Sequence, residues 1–542
     1  MFATCRLPGR EIDTIRHWDP TLIRHVAVQC RGSQFFLNLY TTSGALRTPR
    51  ELELALEGIR RAAAARSPRP AEAGLSALTA LPRTRWAEVR GKYFSDGQNR
   101  RSLDKVESAL LWVHLDEEGA GPAPATWTER ARALIHGSPD RPSVWFDKSI
   151  SLTFFTDGHV GVNAEHSWAD APVVAHLMEE AIISAEQSTL GIVDSTGQAG
   201  ASTPNPSAPC YYDEEGHAAA GRAPQGGGGS SSSAAAAAAA TAAAPSAPPT
   251  ALANETVWEP IEWSLPVACE EAVAEAQEFL RSESQNFDSC VVSTKDARCG
   301  GPGYGKDFIK RCAVSPDAFV QAAMQLAYWR DTAATDAAGV GKFEPTYESS
   351  MTRLFLHGRT ETVRPVTEDM CAFVRAMVRA DATPGEKLRC LQAAAATHVA
   401  AFQSAMCGQG IDRHLFGLYC VSAGWGLEAP FLGTALSMPW KLSTSQQPQQ
   451  QTALWDIKHP AWTDRISPGG GFGPVAADGY GVSYMVSGER EIFFRAWGGS
   501  CVCVGWRAGV GCCALLTHLL PSPLPLAPTF ANGRRHFCAK NC

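Results

Sequence analysis

Residues 149–172 read SISLTFFTDGHVGVNAEHSWADAP. Ser149–Phe155 alternates apolar and polar side chains, the period-two pattern of a half-buried strand. Asp157-Gly158 is a turn pair, and Val160–Asn163 continues extended, so the two runs predict a β-hairpin. Val174, Leu177, Met178, Ala181 and Ile182 then recur at helical spacing and predict a helix with one apolar face. A hairpin feeding a helix places the chain among mixed α/β or α+β folds. His166 stands between them, where a strand ends and a helix begins, a place from which side chains project into clefts.

The same mixture extends outward. Gln34–Tyr40 reads as a strand, followed by a helix opening near Pro49. Leu52, Leu54, Leu56 and Ile59 do not keep strict helical spacing there. Ser315-Pro316-Asp317 is a helix start, with Ser as N-cap, Pro at the first position and an acid in the first turn. Phe319, Ala322, Ala323 and Leu326 supply its buried face. Gly481–Ser487 and Glu491–Trp497 flank Gly488 as a second hairpin. Thr196–Leu252 breaks the pattern with GGGGSSSS, the alanine run Ala234–Ala240 and APSAPP. Such a segment buries too little apolar surface to offset its ordering entropy, so it reads as a flexible insertion between two folded halves. After Trp497 the periodicity disappears among Gly, Cys and Pro.

The 542 residues are 45% hydrophobic and 19% charged, the balance of a globular chain. At about 150 residues per domain, two to four domains are expected. A net charge of −7 argues against a general nucleic-acid binder. Six of 17 cysteines fall after residue 500, and the other eleven lack paired spacing, which fits reduced thiols. No window approaches the ~20 apolar residues of a spanning helix. The first 20 residues mix both charges without an apolar core, which argues against a secretory signal there.

Several residues carry candidate chemistry. Asp170 lies four residues after His166 and could bond one imidazole nitrogen, leaving the other as a general base. The alternative is structural, because Asp170 before Pro172 is also a good helix N-cap. Lys306 and Lys310 share a helical face by their i, i+4 spacing, suited either to phosphates or to solvent. Arg413, between Asp412 and His414, suits a carboxylate ligand or a structural ion pair. Ser443-Thr444-Ser445 and Gly469-Gly470-Gly471 alone are a generic turn cap and a flexible turn. No His/Cys cluster has metal-ligand spacing, so no metal is implied.

Together these motifs resemble the choline/carnitine acyltransferases, and within them the outer-membrane carnitine palmitoyltransferase type. GVNAEHSWADAP is similar to the family's active-site histidine motif. RLPGREIDTIRH, NRRSLDKVESALLWVHLDE and DRPSVWFDKSISLTFF precede it in the family's order. GYGKDFIKRCAVSPDAFVQ, GKFEPTYESSMTRLFLHGRTETVRPVT, GIDRHLFGLY, PWKLSTSQQPQQQ and GGGFGPVAADGYGVSYMV follow it. The match runs from about residue 5 to 497, interrupted mainly by the insertion.

The resemblance implies two α/β domains, each a mixed sheet flanked by helices, with an active-site tunnel at their interface. The domains would span 1–195 and 256–497, with 196–255 as linker and 498–542 as an unmatched tail. It implies reversible transfer of a long-chain acyl group between CoA and L-carnitine, without a covalent acyl-enzyme and with no permanently bound cofactor. His166 would be the general base, Asp170 its orienter and Ser445 the oxyanion donor. Gly305, Lys306, Lys310, Ser315, Asp317, Ser349 and Gln446 would meet CoA. Tyr347, Thr360, Arg413 and Ser443 would hold carnitine. Gly470 and Gly471 would leave the acyl channel open for medium to long chains.

The family resemblance also implies a mitochondrial outer-membrane location facing the cytosol. Membrane attachment would come only through a region ahead of the part matched, and a chain complete as given would be cytosolic. The family has further catalytic-domain sequence before the part matched at Arg6, and closes with a helix where this chain has its Cys/Gly/Pro-rich tail. Two alternatives therefore stand beside the long-chain enzyme: a carnitine octanoyl- or acetyltransferase, and a truncated, inactive CoA-binding remnant.

Overall fold

The computed structural model describes residues 2–116, 124–137, 142–189, 256–295, 304–356, 358–448 and 469–499. The expected linker falls outside them, as does the expected tail apart from Gly498 and Gly499, which end the last strand. The first half runs β1 (Thr4–Leu7), β2 (Thr14–His17), β3 (His25–Cys30), β4 (Ser33–Asn38), α1 (Pro49–Ala65), α2 (Pro70–Ala73), α3 (Arg83–Tyr93), α4 (Gly97–Ser108), β5 (Trp112–Leu115), α5 (Trp127–His136), β6 (Ile150–Phe154), β7 (Val160–Ala164) and α6 (Ala171–Thr189). A 3-10 turn, Leu75–Ala80, follows α2. Next come β8 (Trp258–Pro260), α7 (Val267–Asn286), β9 (Phe287–Ser293), α8 (Lys306–Arg311), α9 (Pro316–Thr335), β10 (Thr346–Ser350) and β11 (Glu361–Val363). The chain continues through α10 (Glu368–Val378), α11 (Pro384–Met406), α12 (Ile411–Gly424), α13 (Pro430–Ser437), β12 (Leu442–Gln446), β13 (Tyr480–Ser487) and β14 (Glu491–Gly499).

Two mixed six-stranded sheets result, in the orders β7-β6-β5-β3-β4-β8 and β11-β10-β12-β13-β14-β9. β3, β5 and β6 are parallel neighbours in the first, and β10, β12 and β13 in the second. β8 and α7 lie beyond residue 256, yet β8 pairs with β4 and α7 packs in the first half's core. The chain therefore crosses to the second sheet only at β9.

The predicted hairpin forms with Ile150 opposite Ala164 and Phe154 opposite Val160. Gly158 at its turn has φ +85, a left-handed value that glycine adopts without a Cβ penalty. α1 starts in a capping box between Thr48 and Glu51, and its buried stripe is Ala55, Ile59 and Ala63. The leucines that broke the spacing flank that stripe, and Leu54 is exposed. Ser315 is the N-cap of α9 with Pro316 next, but its side chain makes no capping bond. Phe319, Ala322, Ala323 and Leu326 are buried as expected, in the core that α9, α10 and α11 build on one face of the second sheet.

Candidate active site

Strand alternation sorts the second sheet's polar residues by face. β10 and β12 run parallel, with Tyr347 opposite Ser443 and Glu348 opposite Thr444. Tyr347, Ser349, Ser443 and Ser445 therefore share one face. Ser349 Oγ and Ser445 Oγ lie 2.9 Å apart on it, and Tyr347 packs edge-on against Trp440. Glu348 and Thr444 point the other way, toward α9, where Gln321 donates to Thr444 Oγ1 at 3.0 Å.

The loop between β7 and α6 brings His166 against the second half. Arg359 Nη2 donates to the His166 carbonyl at 2.9 Å, and Nη1 to the Ser167 carbonyl at 3.0 Å. Its Nε donates to Asp170 Oδ1 at 3.0 Å, while the Thr360 N–H donates to Oδ2 at 2.9 Å. Asp170 Oδ1 lies 3.9 Å from His166 Nδ1, too far for a hydrogen bond. The two side chains are neighbours without a direct hydrogen bond. Asp170 is a bond between the halves, and its carboxylate neither caps α6 nor binds the imidazole. The His166 ring is 69% exposed and free to meet a ligand.

Tyr347 sits in the field of this cluster. Burial, then the Asp170 and Glu361 carboxylates, push its phenol up to about 12, so it is a neutral donor at pH 7. Thr360 offers its N–H to Asp170 and its carbonyl to Arg413 at 2.7 Å. Arg413 Nε donates to the buried Glu361 at 2.9 Å. The structural ion pair therefore exists, and it holds a guanidinium whose side chain is still 52% exposed.

Of the residues assigned to CoA, Ser349 stands on the Tyr347 and Ser445 face, and the others come from α8, α9 and the end of β12. Lys306 and Lys310 occupy α8, beside the β13–β14 turn, and Lys306 Nζ is 3.6 Å from Glu489. A Cβ on Gly305 would lie 2.5 Å from the Glu491 nitrogen, so this close approach requires glycine. Gln446 ends β12 in an exposed position, opposite Tyr484.

Asp317 is the acid expected at the CoA end. It accepts a hydrogen bond from the buried Tyr484 hydroxyl on the α9 side of the sheet. Beside it, Glu348 Oε2 bonds His398 Nε2 at 2.5 Å. Burial pushes Glu348 up to about 8 and, with the Glu348 charge, Asp317 up to about 7. Burial likewise lowers His398. Asp317, Glu348 and His398 have the side-chain types that could hold a metal ion. Local spacing in the sequence does not show this grouping, and here the groups bond to one another and to Tyr484.

Gly469–Gly471 run beside β14. Gly470 N–H donates to Gln447 Oε1 at 2.6 Å, and its carbonyl accepts from Ser483 and Arg495. A Cβ on Gly471 would lie 2.6 Å from Trp497 Nε1, so the glycine admits that indole. Sequence reasoning passed over Arg359, Glu361 and Glu165. Their signal was adjacency, because each stands next to a residue already singled out.

The two mixed sheets, their flanking helices and the His166 loop between them define a class. Residues 1–501 match the Choline/Carnitine O-acyltransferase family model, and the chain belongs to that family. It is 40% identical over 501 residues to human carnitine O-palmitoyltransferase 1, liver isoform, and 38% identical over 499 to the human muscle isoform. Each match covers 91% of this chain and 55% of the relative, so the chain spans about half the length of these proteins. Zebrafish (Danio rerio) choline O-acetyltransferase is 28% identical, over 91% of this chain and 65% of that relative.

Proposed function

We propose that this chain carries the acyl-transfer centre of a carnitine O-acyltransferase, moving a long-chain fatty acyl group reversibly between CoA and the hydroxyl of L-carnitine. The observation that carries this reading is the contact of the His166 loop with Arg359 and Thr360, which sets an exposed imidazole beside the Tyr347 and Arg413 cluster. In the forward direction His166 takes the carnitine hydroxyl proton as the oxygen attacks the thioester carbonyl. A secondary alcohol is too weak an acid to attack unaided, and an imidazole titrates near neutrality. The tetrahedral intermediate's oxyanion meets Ser445, whose hydroxyl is 2.9 Å from that of Ser349. Collapse expels CoA thiolate, and the proton on His166 returns to it. Arg413 faces the carnitine carboxylate, with Thr360, Tyr347 and Ser443 around it. Lys306 and Lys310 supply charge for CoA phosphates.

The names of the palmitoyltransferase relatives support a long acyl chain, whose burial is worth ~0.8 kcal/mol per CH₂. We also place the protein in fatty-acid entry to mitochondria, at the outer membrane. Among the described residues, no helix is long and apolar enough to cross a membrane.

The test is acylcarnitine formation from acyl-CoAs of graded length, with His166→Ala beside the wild type. Activity on palmitoyl-CoA that falls by orders of magnitude in His166→Ala, with CoA binding retained, supports the proposal. A sharp acetyl preference sinks the long-chain reading. CoA binding with no product at any length indicates an inactive remnant.

A further inference from the structure

The His166 loop is also gripped from the first half. Glu165 Oε2 accepts the Ser167 N–H at 3.0 Å and the Ser167 hydroxyl. This short loop of bonds turns the chain at His166 and leaves its ring outward. Glu165 Oε1 accepts Arg6 Nη1 at 3.2 Å, and Arg6 Nε donates to Asp13 Oδ2 at 2.7 Å. Asp13 also accepts Arg83 Nε at 2.6 Å, and Arg83 Nη1 donates to Asp147 Oδ1 at 2.6 Å. Trp86 Nε1 closes the chain on Asp147 Oδ2 at 2.7 Å.

These side chains come from β1, the β1–β2 turn, α3 and the segment before β6. The carboxylate side chains are 11% exposed at Glu165, 13% at Asp13 and 5% at Asp147. The Arg6 and Arg83 side chains are 36% and 29% exposed, so these are part-buried charge-assisted bonds that fix the carboxylates' orientation. The Glu165 N–H adds a bond to the Ser149 carbonyl at 3.2 Å. One end of the network is therefore anchored in packed helix and sheet, and the other ends one residue before His166.

We propose that Glu165 is a positioning residue for His166, and that the Arg6–Asp13–Arg83–Asp147 chain transmits the rigidity of the first half to it. The proposal rests on reading His166 as the base. Arg359 fixes the His166 and Ser167 carbonyls from the other side, so the two grips together define where the imidazole stands. A reacting group displaced by about 1 Å can lose on the order of 100-fold in rate without losing its substrate contacts.

The experiment compares Glu165→Ala, Arg6→Met and the double variant in the full chain, with Glu165→Gln as the conservative change. Turnover and hydrogen exchange of the 160–170 peptide are both read. Glu165→Ala should lower kcat by about 10–100-fold with KM for both substrates within about threefold. Glu165→Gln, which keeps an acceptor for the Ser167 N–H, should lose less. The double variant should be little worse than Glu165→Ala, because the two residues act as one unit. The Ser167 amide should exchange faster in Glu165→Ala and Arg6→Met. Losses that multiply in the double variant, or fall in KM alone, overturn the proposal, as does unchanged Ser167 exchange. If the wild type forms no acylcarnitine, the acyl-transfer reading fails, whereas the exchange data still decide whether Glu165 holds the loop.

Discussion

Arg359 binds Asp170 across the two halves of the molecule, with Nε 3.0 Å from Oδ1 and its two terminal nitrogens on the His166 and Ser167 carbonyls. One guanidinium thereby satisfies three acceptors on the loop that carries the proposed base. Its planar fork matches these acceptors in a way a lysine ammonium cannot.

Arg359→Lys should therefore behave almost as Arg359→Ala. Both are expected to lower kcat by about 10–100-fold, while calorimetric CoA affinity changes little. A lysine variant with wild-type turnover would show that charge alone suffices.

Arg413 presents a different expectation, since it is tied to Glu361 yet half exposed. Arg413→Ala should raise KM for carnitine by about 10-fold or more, and KM for acyl-CoA far less. Equal rises in both would mean that the pair with Glu361 only supports the fold.

The Glu348–His398 pair predicts a pH effect. Glu348 holds its proton up to about pH 8 in the folded chain, against an ordinary carboxyl near 4.5. Between these values the folded state binds more protons than the unfolded one, so this group's contribution to stability falls as pH rises. Asp317, raised to about 7, acts in the same direction. His398, lowered by burial, opposes it by weakening stability as pH falls below the ordinary histidine range. Glu348→Gln copies the protonated form. Its thermal midpoint should match wild type near pH 5 and exceed it by roughly 2–6 °C at pH 8. A constant difference across that range would refute the proton assignment.

Arg495 is buried, and its donors reach only the Gly470 carbonyl and Ser483 Oγ, with no acid partner among the described residues. Burial lowers its guanidinium to about 9. Burying a charge that no opposite charge pairs costs free energy, so replacing it by an apolar side chain of similar length should raise stability. Urea unfolding of Arg495→Met should move in that direction, and a clear loss of stability would contradict it.

Much of this architecture is legible locally. The hairpin at 150–164, the α9 start at Ser315-Pro316 and the Gly488 turn depend on a few neighbouring residues, so composition and period suffice to read them. The family motifs likewise named Tyr347, Thr360, Arg413 and Ser445 as a set. α1 was harder, because its buried stripe is mostly alanine and its leucines lie at the flanks. The T-x-x-E signature at Thr48 was the available clue.

The sequence by itself determined the class of fold and named His166, Tyr347, Thr360, Arg413 and Ser445 as candidates for the site. The tertiary structure alone decided their partners. Asp170 meets Arg359, 189 residues on, and Glu165 meets Arg6, 159 residues back. Asp317 turns to Tyr484, and Glu348 to His398. Such pairings follow from strand register and helix packing, which choose among many chemically equivalent acids and bases by distance and burial. Local residue preferences carry no information about that choice.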